Sequence, residues 1–188
     1  METRARRVVV SEFVSLDGVM SDPSWTAPYW NDEIAAFKGD ETSAAEALLL
    51  GRVTYEMFAA VWPTSTDEGA PAINALPKYV ASTTLGQADL DRAGWNGRLL
   101  AGDAPEAVRA LKQEPGGDLL VWGSAQFARA LTAHGLVDEY RLLVYPVVLG
   151  RGKRLFEEEQ ATLELVEARP FGSGVTALVY RPDPRRAV

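Results

Sequence analysis

Two turns that each contain glycine could bind phosphate. The first follows the apolar run Leu119–Trp122, where Gly123-Ser124 leads directly into a helical pattern. The second follows Leu48–Leu50, where Gly51 precedes another helical pattern. A turn between a strand and a helix places unpaired backbone N–H groups and the positive end of a helix dipole at one point. Such a point suits a phosphate group, although many α/β proteins have this turn without a ligand.

The residues after the second turn suggest which phosphate would bind. Arg52 follows Gly51 directly, and Thr54 lies two residues further on. An arginine has a permanent charge and a planar set of donors, which suits a phosphate monoester such as the 2′-phosphate of NADPH. The alternative is a surface arginine whose charge opposes the helix dipole. The residues alone leave both interpretations open.

Neither turn matches a common nucleotide-binding motif. No G-x-G-x-x-G follows a strand, and the segment Gly150–Arg154 lacks the upstream glycine and the final Ser or Thr of a Walker A motif. Two separate strand ends would therefore have to bind one extended dinucleotide. Ligands of open α/β sheets bind at the carboxyl ends of strands. We therefore predict that Gly51 and Gly123 lie at neighbouring tips of one sheet.

The end of the first strand carries further candidates. Asp17-Gly18 is typical of a turn, but a carboxylate at this position could also bind a heterocycle or supply a proton. Trp25, Tyr29 and Trp30 follow in a loop that contains proline. Three large rings in a loop either cover a ligand or fold back on the core, and both alternatives stay open.

Charge argues against a nucleic-acid partner. The net charge is −7, so there is no surplus of basic residues to displace counterions. Basic residues are concentrated only in the segment 150–154, which is either a solvated hairpin connection or a rim that attracts anions. Arg151, Lys153 and Arg154 are candidates for that second role.

Composition limits the possible chemistry further. The chain has 188 residues, enough for one domain, and no cysteine, which excludes disulfides and thiolate metal sites. The one histidine, His134, precedes Gly135 at a predicted helix end, where capping is its expected role, so no metal site is expected. No apolar run approaches the roughly 20 residues of a membrane helix, and no signal segment is apparent. We expect a soluble cytoplasmic protein that contacts no membrane.

Apolar runs predict a mainly parallel sheet with an antiparallel end. The first five runs alternate with helical patterns, whereas no helical pattern separates the last three. The predicted strands are Val8–Val14, Leu48–Leu50, Lys78–Ser82, Arg98–Ala101, Asp118–Trp122, Glu139–Leu149, Thr162–Ala168 and Val175–Tyr180.

Capping residues and prolines refine this layout. Pro146 should cause a bulge in its strand or confine it to an edge, because proline cannot donate a ladder hydrogen bond. Asn31, Asp103 and Ser124 are predicted helix caps, and Gly39 is predicted to interrupt the helix after Asn31. The segment Trp62–Pro77 is predicted to be a long surface loop, and 181–188 a loose tail after a single domain over 1–180.

Taken in order, these pieces resemble the dihydrofolate-reductase-like family that includes the reductase domain of bacterial riboflavin biosynthesis proteins. The matching stretches are Ser15–Gly18, Leu49–Thr54, Leu119–Ser124 and Phe127–Leu142, which continues into Tyr145–Gly152 and Leu155-Phe156. The resemblance implies an α/β fold of three layers with a mostly parallel twisted sheet and antiparallel C-terminal strands. It also implies NADPH as the cofactor and a homodimer.

The resemblance assigns roles by position in this chain. The 2′-phosphate end of NADPH would be bound by Gly51, Arg52, Thr54, Ser82 and Thr83. Its pyrophosphate would be bound by Gly123, Ser124, Ala125 and Gln126, although the family usually has Gly-Gly where this chain has Gly123-Ser124. Asp17 would orient or protonate the substrate, and Trp25, Tyr29 and Tyr145 would contact it.

The predicted function is hydride transfer from NADPH to a small nitrogen heterocycle. A ribosylaminopyrimidine and a pterin-like compound are the two expected substrate types. The main alternative is a module of the same fold that binds a nucleotide or pterin without turnover. A third is a partner protein whose long C-terminal strands serve dimerisation.

Overall fold

Eight strands form one sheet in the order β4-β3-β2-β5-β1-β6-β8-β7. The computed structural model describes residues 5–185. The strands are β1 Val8–Ser15, β2 Ala45–Gly51, β3 Lys78–Ala81, β4 Gly97–Leu100, β5 Asp118–Val121, β6 Glu139–Tyr145, β7 Leu163–Pro170 and β8 Thr176–Pro182. The first six are parallel, and β8 and β7 complete the sheet in the antiparallel sense. This confirms the predicted fold class.

Helices connect the parallel strands. They are α1 Asp32–Ala44, α2 Arg52–Val61, α3 Ala70–Ala75, α4 Gln87–Ala93, α5 Ala104–Gln113 and α6 Ala125–Ala133. Two short 3₁₀ turns cover Pro23–Tyr29 and Trp62–Thr64. Among residues 5–185, none of these helices has the length and apolar character that crossing a membrane would need.

Local sequence explains several helix ends. Asn31 accepts a hydrogen bond from the Ile34 amide at 3.0 Å, and Asp103 accepts one from the Glu106 amide at the same distance. Both predicted caps are therefore confirmed. His134 ends α6 as expected, because its Nδ1 lies 2.8 Å from the carbonyl oxygen of Ala130.

Apolar side chains cover both faces of the sheet. One face packs under α5 and α6 through residues that include Val10, Leu49 and Leu131. The opposite face has two apolar clusters, one around Leu48 and Trp95 and one around Ile34, Leu143 and Tyr145. Polar residues of β1 and α1 occupy the region between these two clusters.

Four sequence predictions differ from the structure. Gly39 does not interrupt α1, because the helix is held to the sheet by buried residues on both sides of it. The sixth strand ends at Tyr145, directly before Pro146, and not at Leu149. The segment 62–77 contains α3, where Ala70 and Ile73 are buried. At the C-terminus β8 continues through Pro182, so the ordered sheet extends into the segment expected to be a tail.

Candidate cofactor and substrate site

The two glycine turns touch each other at the carboxyl ends of neighbouring strands. The register of β2 and β5 places Leu49 opposite Val121, and the Gly51 amide lies 3.4 Å from the carbonyl oxygen of Gly123. A Cβ on Gly51 would lie 2.5 Å from Ser124 Oγ, so this position has no room for a side chain. The predicted adjacency of the two turns is confirmed, and it depends on close packing at Gly51.

The first turn, at Gly123, has a matching restriction. Gly123 has φ of +57°, and a Cβ there would lie 2.6 Å from Thr54 Oγ1. Both the backbone conformation and the neighbouring hydroxyl therefore require glycine. The Gly123–Ser124 peptide bond is cis. Thr54, predicted to bind the cofactor, thus lies directly against the first turn.

Both helices that start at these turns lack a side-chain cap. Gly51 precedes α2 and Ser124 precedes α6, and neither position makes a side-chain hydrogen bond to its helix. The expectation that the Ser124 side chain caps α6 is therefore wrong. The first amides of both helices, including those of Ala125 and Gln126, therefore start at adjacent strand ends without a cap from the preceding side chain. Such a pair of helix ends favours a ligand with more than one anionic group.

Arg52 and Ser82 already have partners within the protein. Arg52 donates to Glu56 Oε2 at 2.8 Å, and about two-fifths of each of these side chains is exposed. Ser82 Oγ accepts from the amides of Thr84 and Leu85 and so shapes the turn after β3. Thr83 lies exposed in the same turn. These side chains border the edge that Gly51 and Gly123 share, because β3 pairs with β2 through Gly51 and Ala81.

Glu12 lies under the first turn and was not identified from the sequence. Its Oε1 accepts a 2.6 Å hydrogen bond from the Gly123 amide. Burial raises the pKa of Glu12 to about 8, although the hydrogen bond and the nearby Lys38 oppose the rise. The carboxyl group is therefore mostly protonated at neutral pH and holds the turn in place.

Asp17 does not suit the role of proton donor that was predicted for it. It accepts from Ser15 Oγ at 2.7 Å and from the amides of Leu149 and Gly150 at 3.1 and 2.8 Å. These hydrogen bonds, the one from Ser15 foremost, lower the pKa of Asp17 to about 2. An ionised carboxylate saturated with donors has no proton to give, so Asp17 holds the loop after β1 against the loop after β6.

The basic segment supports the same contact. Arg154 Nε donates to the carbonyl oxygen of Asp17 at 3.1 Å, and the side chain of Arg154 lies beside that carboxylate. Arg154 is therefore used in holding the two loops together. Arg151 and Lys153 are exposed and keep the rim position that the sequence suggested.

The aromatic residues divide between core and surface. Tyr145 is completely buried, and burial raises its pKa to about 12. The rings of Trp25 and Tyr29 pack edge-on against it at 5.4 and 5.8 Å between centroids. Tyr145 is therefore closed to a ligand in this structure, because Trp25 and Tyr29 fold back and cover it, and its substrate contact stays a prediction. Trp30 remains 47% exposed and packs on Phe13.

A charged group lies between these rings and the first glycine turn. Lys38 Nζ donates to Ser11 Oγ at 2.7 Å and forms an ion pair with Glu41 Oε2 at 2.6 Å. The same ammonium lies 4.8 Å from the ring centre of Trp122 and 5.4 Å from that of Phe13. The sequence contains one signal for this group, since Ser11 and Glu12 interrupt an otherwise apolar strand.

Fold and site together define a class of protein. It is an α/β domain with a dihydrofolate-reductase-like sheet and two glycine turns at adjacent strand ends. The chain belongs to the RibD C-terminal domain family, whose model matches residues 6–177. Family and fold support a reductase of the riboflavin-pathway kind.

Individual relatives and solved structures are similar over nearly the whole chain. The uncharacterized protein YyaP of Bacillus subtilis (strain 168) is 29% identical over 184 residues, which is 94% of this chain and 95% of YyaP. A pyrimidine reductase-like protein of Corynebacterium diphtheriae shares the fold with a TM-score of 0.71 at 13% identity, covering 95% of this chain and 92% of its own. The riboflavin biosynthesis reductase Rib7 of Saccharomyces cerevisiae has a TM-score of 0.64 at 14% identity, with 95% and 90% covered.

Proposed function

We propose that the protein is an NADPH-dependent reductase of a small nitrogen heterocycle, either a ribosylaminopyrimidine or a pterin-like compound. The observation that carries this proposal is the contact between the Gly51 and Gly123 turns. Each turn begins a helix without a side-chain cap, and the two helix ends face one edge of the sheet. A dinucleotide has anionic groups at a spacing that two such ends can bind together.

The residues present fit NADPH. Ser124, Ala125 and Gln126 would bind the pyrophosphate through their amides, and Arg52 would bind the 2′-phosphate. Because exposed ion pairs contribute only about 0–1 kcal/mol, Glu56 can release Arg52 to a phosphate at little cost. Once bound, NADPH would supply a hydride.

The substrate would lie beyond the end of β5, on the face that carries Phe13, Trp30 and Trp122. Phe13 and Trp30 provide an apolar surface suited to a flat ring, and the exposed part of Trp30 borders it. Trp25 and Tyr29 would support this surface from behind rather than contact the ring.

Calorimetry and an assay of NADPH oxidation test the proposal. We expect NADPH to bind more tightly than NADH, and its absorbance to fall when a dihydropterin or a ribosylaminopyrimidine is added. Absence of NADPH binding at millimolar concentration would contradict the proposal.

The second candidate is a module that binds its ligand without turnover. One observation favours it, namely that Asp17 is ionised and fully occupied by donors. Tight binding of a pterin or nucleotide with no NADPH oxidation over the same substrates would support this candidate.

A homodimer belongs to the same proposal. The outer edge of β7 ends the sheet, and Leu165 and Val166 on this strand are 51% and 47% exposed. Light scattering on the wild type and on Leu165→Glu would show whether these side chains hold two copies together. A monomeric wild type would contradict the dimer and leave the proposed reaction intact.

A further inference from the structure

We propose that Lys38 donates the proton that the reduction requires, and that Glu41 and Ser11 position its ammonium group; this inference rests on the proposed function. A reduced C=N bond needs one hydride on carbon and one proton on nitrogen. Asp17 cannot supply the proton, because it is ionised and saturated with hydrogen bonds. The structure contains a better placed group on α1.

Two oxygen atoms hold the ammonium in a fixed position. Lys38 Nζ lies 2.7 Å from Ser11 Oγ and 2.6 Å from Glu41 Oε2, and Ser11 Oγ donates to the same Glu41 oxygen at 2.8 Å. Glu41 is only 3% exposed, so this triangle is anchored inside the protein. An ammonium has three N–H donors, and the contacts among residues 5–185 use two of them. One N–H therefore remains for a ligand.

The Lys38 ammonium lies beside the surface where the proposed substrate would bind. Lys38 approaches the rings of Trp122 and Phe13, and Trp122 directly precedes the Gly123 turn. The Lys38 side chain is 13% exposed, so the ammonium is enclosed but still reachable. Glu12 is close enough for the charges of Lys38 and Glu41 to affect its pKa, although side chains alternate along a strand and Glu12 follows Ser11 directly. Glu12 also already binds the Gly123 amide.

A second polar atom beside Lys38 also points to a ligand. Trp122 is nine-tenths buried, and its Nε1 makes no hydrogen bond to any residue that the structure describes. Buried N–H groups without a partner are rare, and a missing ligand or water is a common explanation. Lys38 Nζ lies 4.8 Å from the ring centre of Trp122, so an ammonium and an unpartnered indole N–H occur in the same part of the site. They suit a heterocycle whose edge carries acceptors, such as a ring nitrogen next to a carbonyl oxygen.

The proposed step balances in atoms and charge. The substrate carbon takes the hydride that NADPH supplies, and the electron pair of the C=N bond moves to nitrogen. That nitrogen takes a proton from Lys38 Nζ as the new N–H bond forms. The products are the saturated C–N compound, NADP⁺ and a neutral Lys38 amine. The amine regains a proton from solvent through its exposed edge.

Lys38→Met is the central test, since methionine keeps the length and removes the charge. We expect the variant to bind NADPH like the wild type and to reduce dihydropterin roughly 100-fold more slowly or worse, the usual contribution of a positioned acid. The pH–rate profile of Lys38→Met should differ in shape from that of the wild type, because the variant lacks the proposed proton donor. Lys38→Arg should keep the charge and still lose the rate, because a guanidinium does not release its proton.

Lys112→Met is the matched control. Lys112 also bonds a carboxylate and a second acceptor, Asp138 and the carbonyl oxygen of Leu136, but lies on α5 away from the site. The Lys112→Met variant should lose about as much stability as Lys38→Met and should keep the pH–rate profile of the wild type.

A binding readout works without turnover. The quenching of tryptophan fluorescence by pterin should show at least tenfold weaker binding to Lys38→Met than to the wild type. Equal pterin binding, or an unchanged shape of the pH profile with a rate within about threefold of wild type, would overturn the role of Lys38. If the wild type does not bind NADPH, the proposed function itself is refuted.

Discussion

The amide of Gly123 donates a 2.6 Å hydrogen bond to Oε1 of Glu12, which places a buried carboxyl group directly beneath the first glycine turn. Burial raises the pKa of Glu12 to about 8, whereas an exposed glutamate titrates near 4.5. The turn therefore rests on a group that changes its charge close to neutral pH.

Glu12→Gln should remove a pH dependence of stability. Since the folded protein holds this proton more tightly than the unfolded chain, the contribution of Glu12 is complete below pH 4.5 and is lost as the pH rises through about 8. Between pH 5 and 9 the free energy of unfolding of the wild type should fall relative to Glu12→Gln, by an amount on the order of a few kcal/mol. Urea denaturation at several pH values measures this. Glu158→Gln, a change at an exposed position, is the control. If the free energy of unfolding depended on pH in the same way in the wild type and in Glu12→Gln, the prediction would be contradicted.

Arg52→Ala should reduce the preference for NADPH over NADH. A charge-assisted hydrogen bond contributes about 1.5–3 kcal/mol, so the ratio of the two dissociation constants should change by roughly ten- to a hundredfold. Glu56→Gln removes the competing partner of Arg52 and should leave the preference intact or strengthen it. Calorimetry with both nucleotides measures the ratio. An unchanged ratio in Arg52→Ala would mean that Arg52 only pairs with Glu56.

Gly51→Ala should disturb the contact between the two turns, and Ser124→Gly should repair it. Gly51 has φ of −74°, which alanine adopts readily, so the effect is steric. The added Cβ would meet Ser124 Oγ at 2.5 Å, and overpacking of this kind costs roughly 1–3 kcal/mol. Thermal unfolding and NADPH binding should both recover in the double variant. If Ser124→Gly brings no recovery, the clash lies elsewhere.

Asp17→Ala should loosen two loops and leave proton transfer unchanged. Asp17 has a pKa of about 2 and is ionised at every pH used for assays, so its removal should not alter the shape of the pH–rate profile. Amide hydrogen exchange at Leu149 and Gly150 should become faster, because both amides lose their acceptor. If the pH–rate profile of Asp17→Ala lost its rising or its falling part, Asp17 would have to act as an acid in the reaction.

The sheet and its two turns could be predicted because local sequence marks them. Short apolar runs mark the strands, and Gly51 and Gly123 follow two of those runs directly. The antiparallel end followed from the lack of a helical pattern after Glu139. Pro146 marked a change in the sixth strand, and the structure shows that this change is its end.

The polar groups of the site could not be predicted, because their roles depend on burial and on distant partners. Lys38 lies on a helix with little amphipathic pattern and meets Ser11 from 27 positions away. Asp17 is typical of a turn residue, and only the structure shows that two amides of the loop after β6 saturate it. Tyr145 was expected near the substrate from its place in a motif, whereas its side chain fills the core.

The position of β5 between β1 and β2 affects how the chain acquires its site. During synthesis β1 and β2 emerge before β5, and they cannot be joined in one sheet until Asp118–Val121 has left the ribosome and paired with both. Before that moment two apolar strand edges stay open, a state prone to aggregation. Strand β5 also brings the Gly123 turn, so the link between β1 and β2 and the contact between the two glycine turns form in the same event.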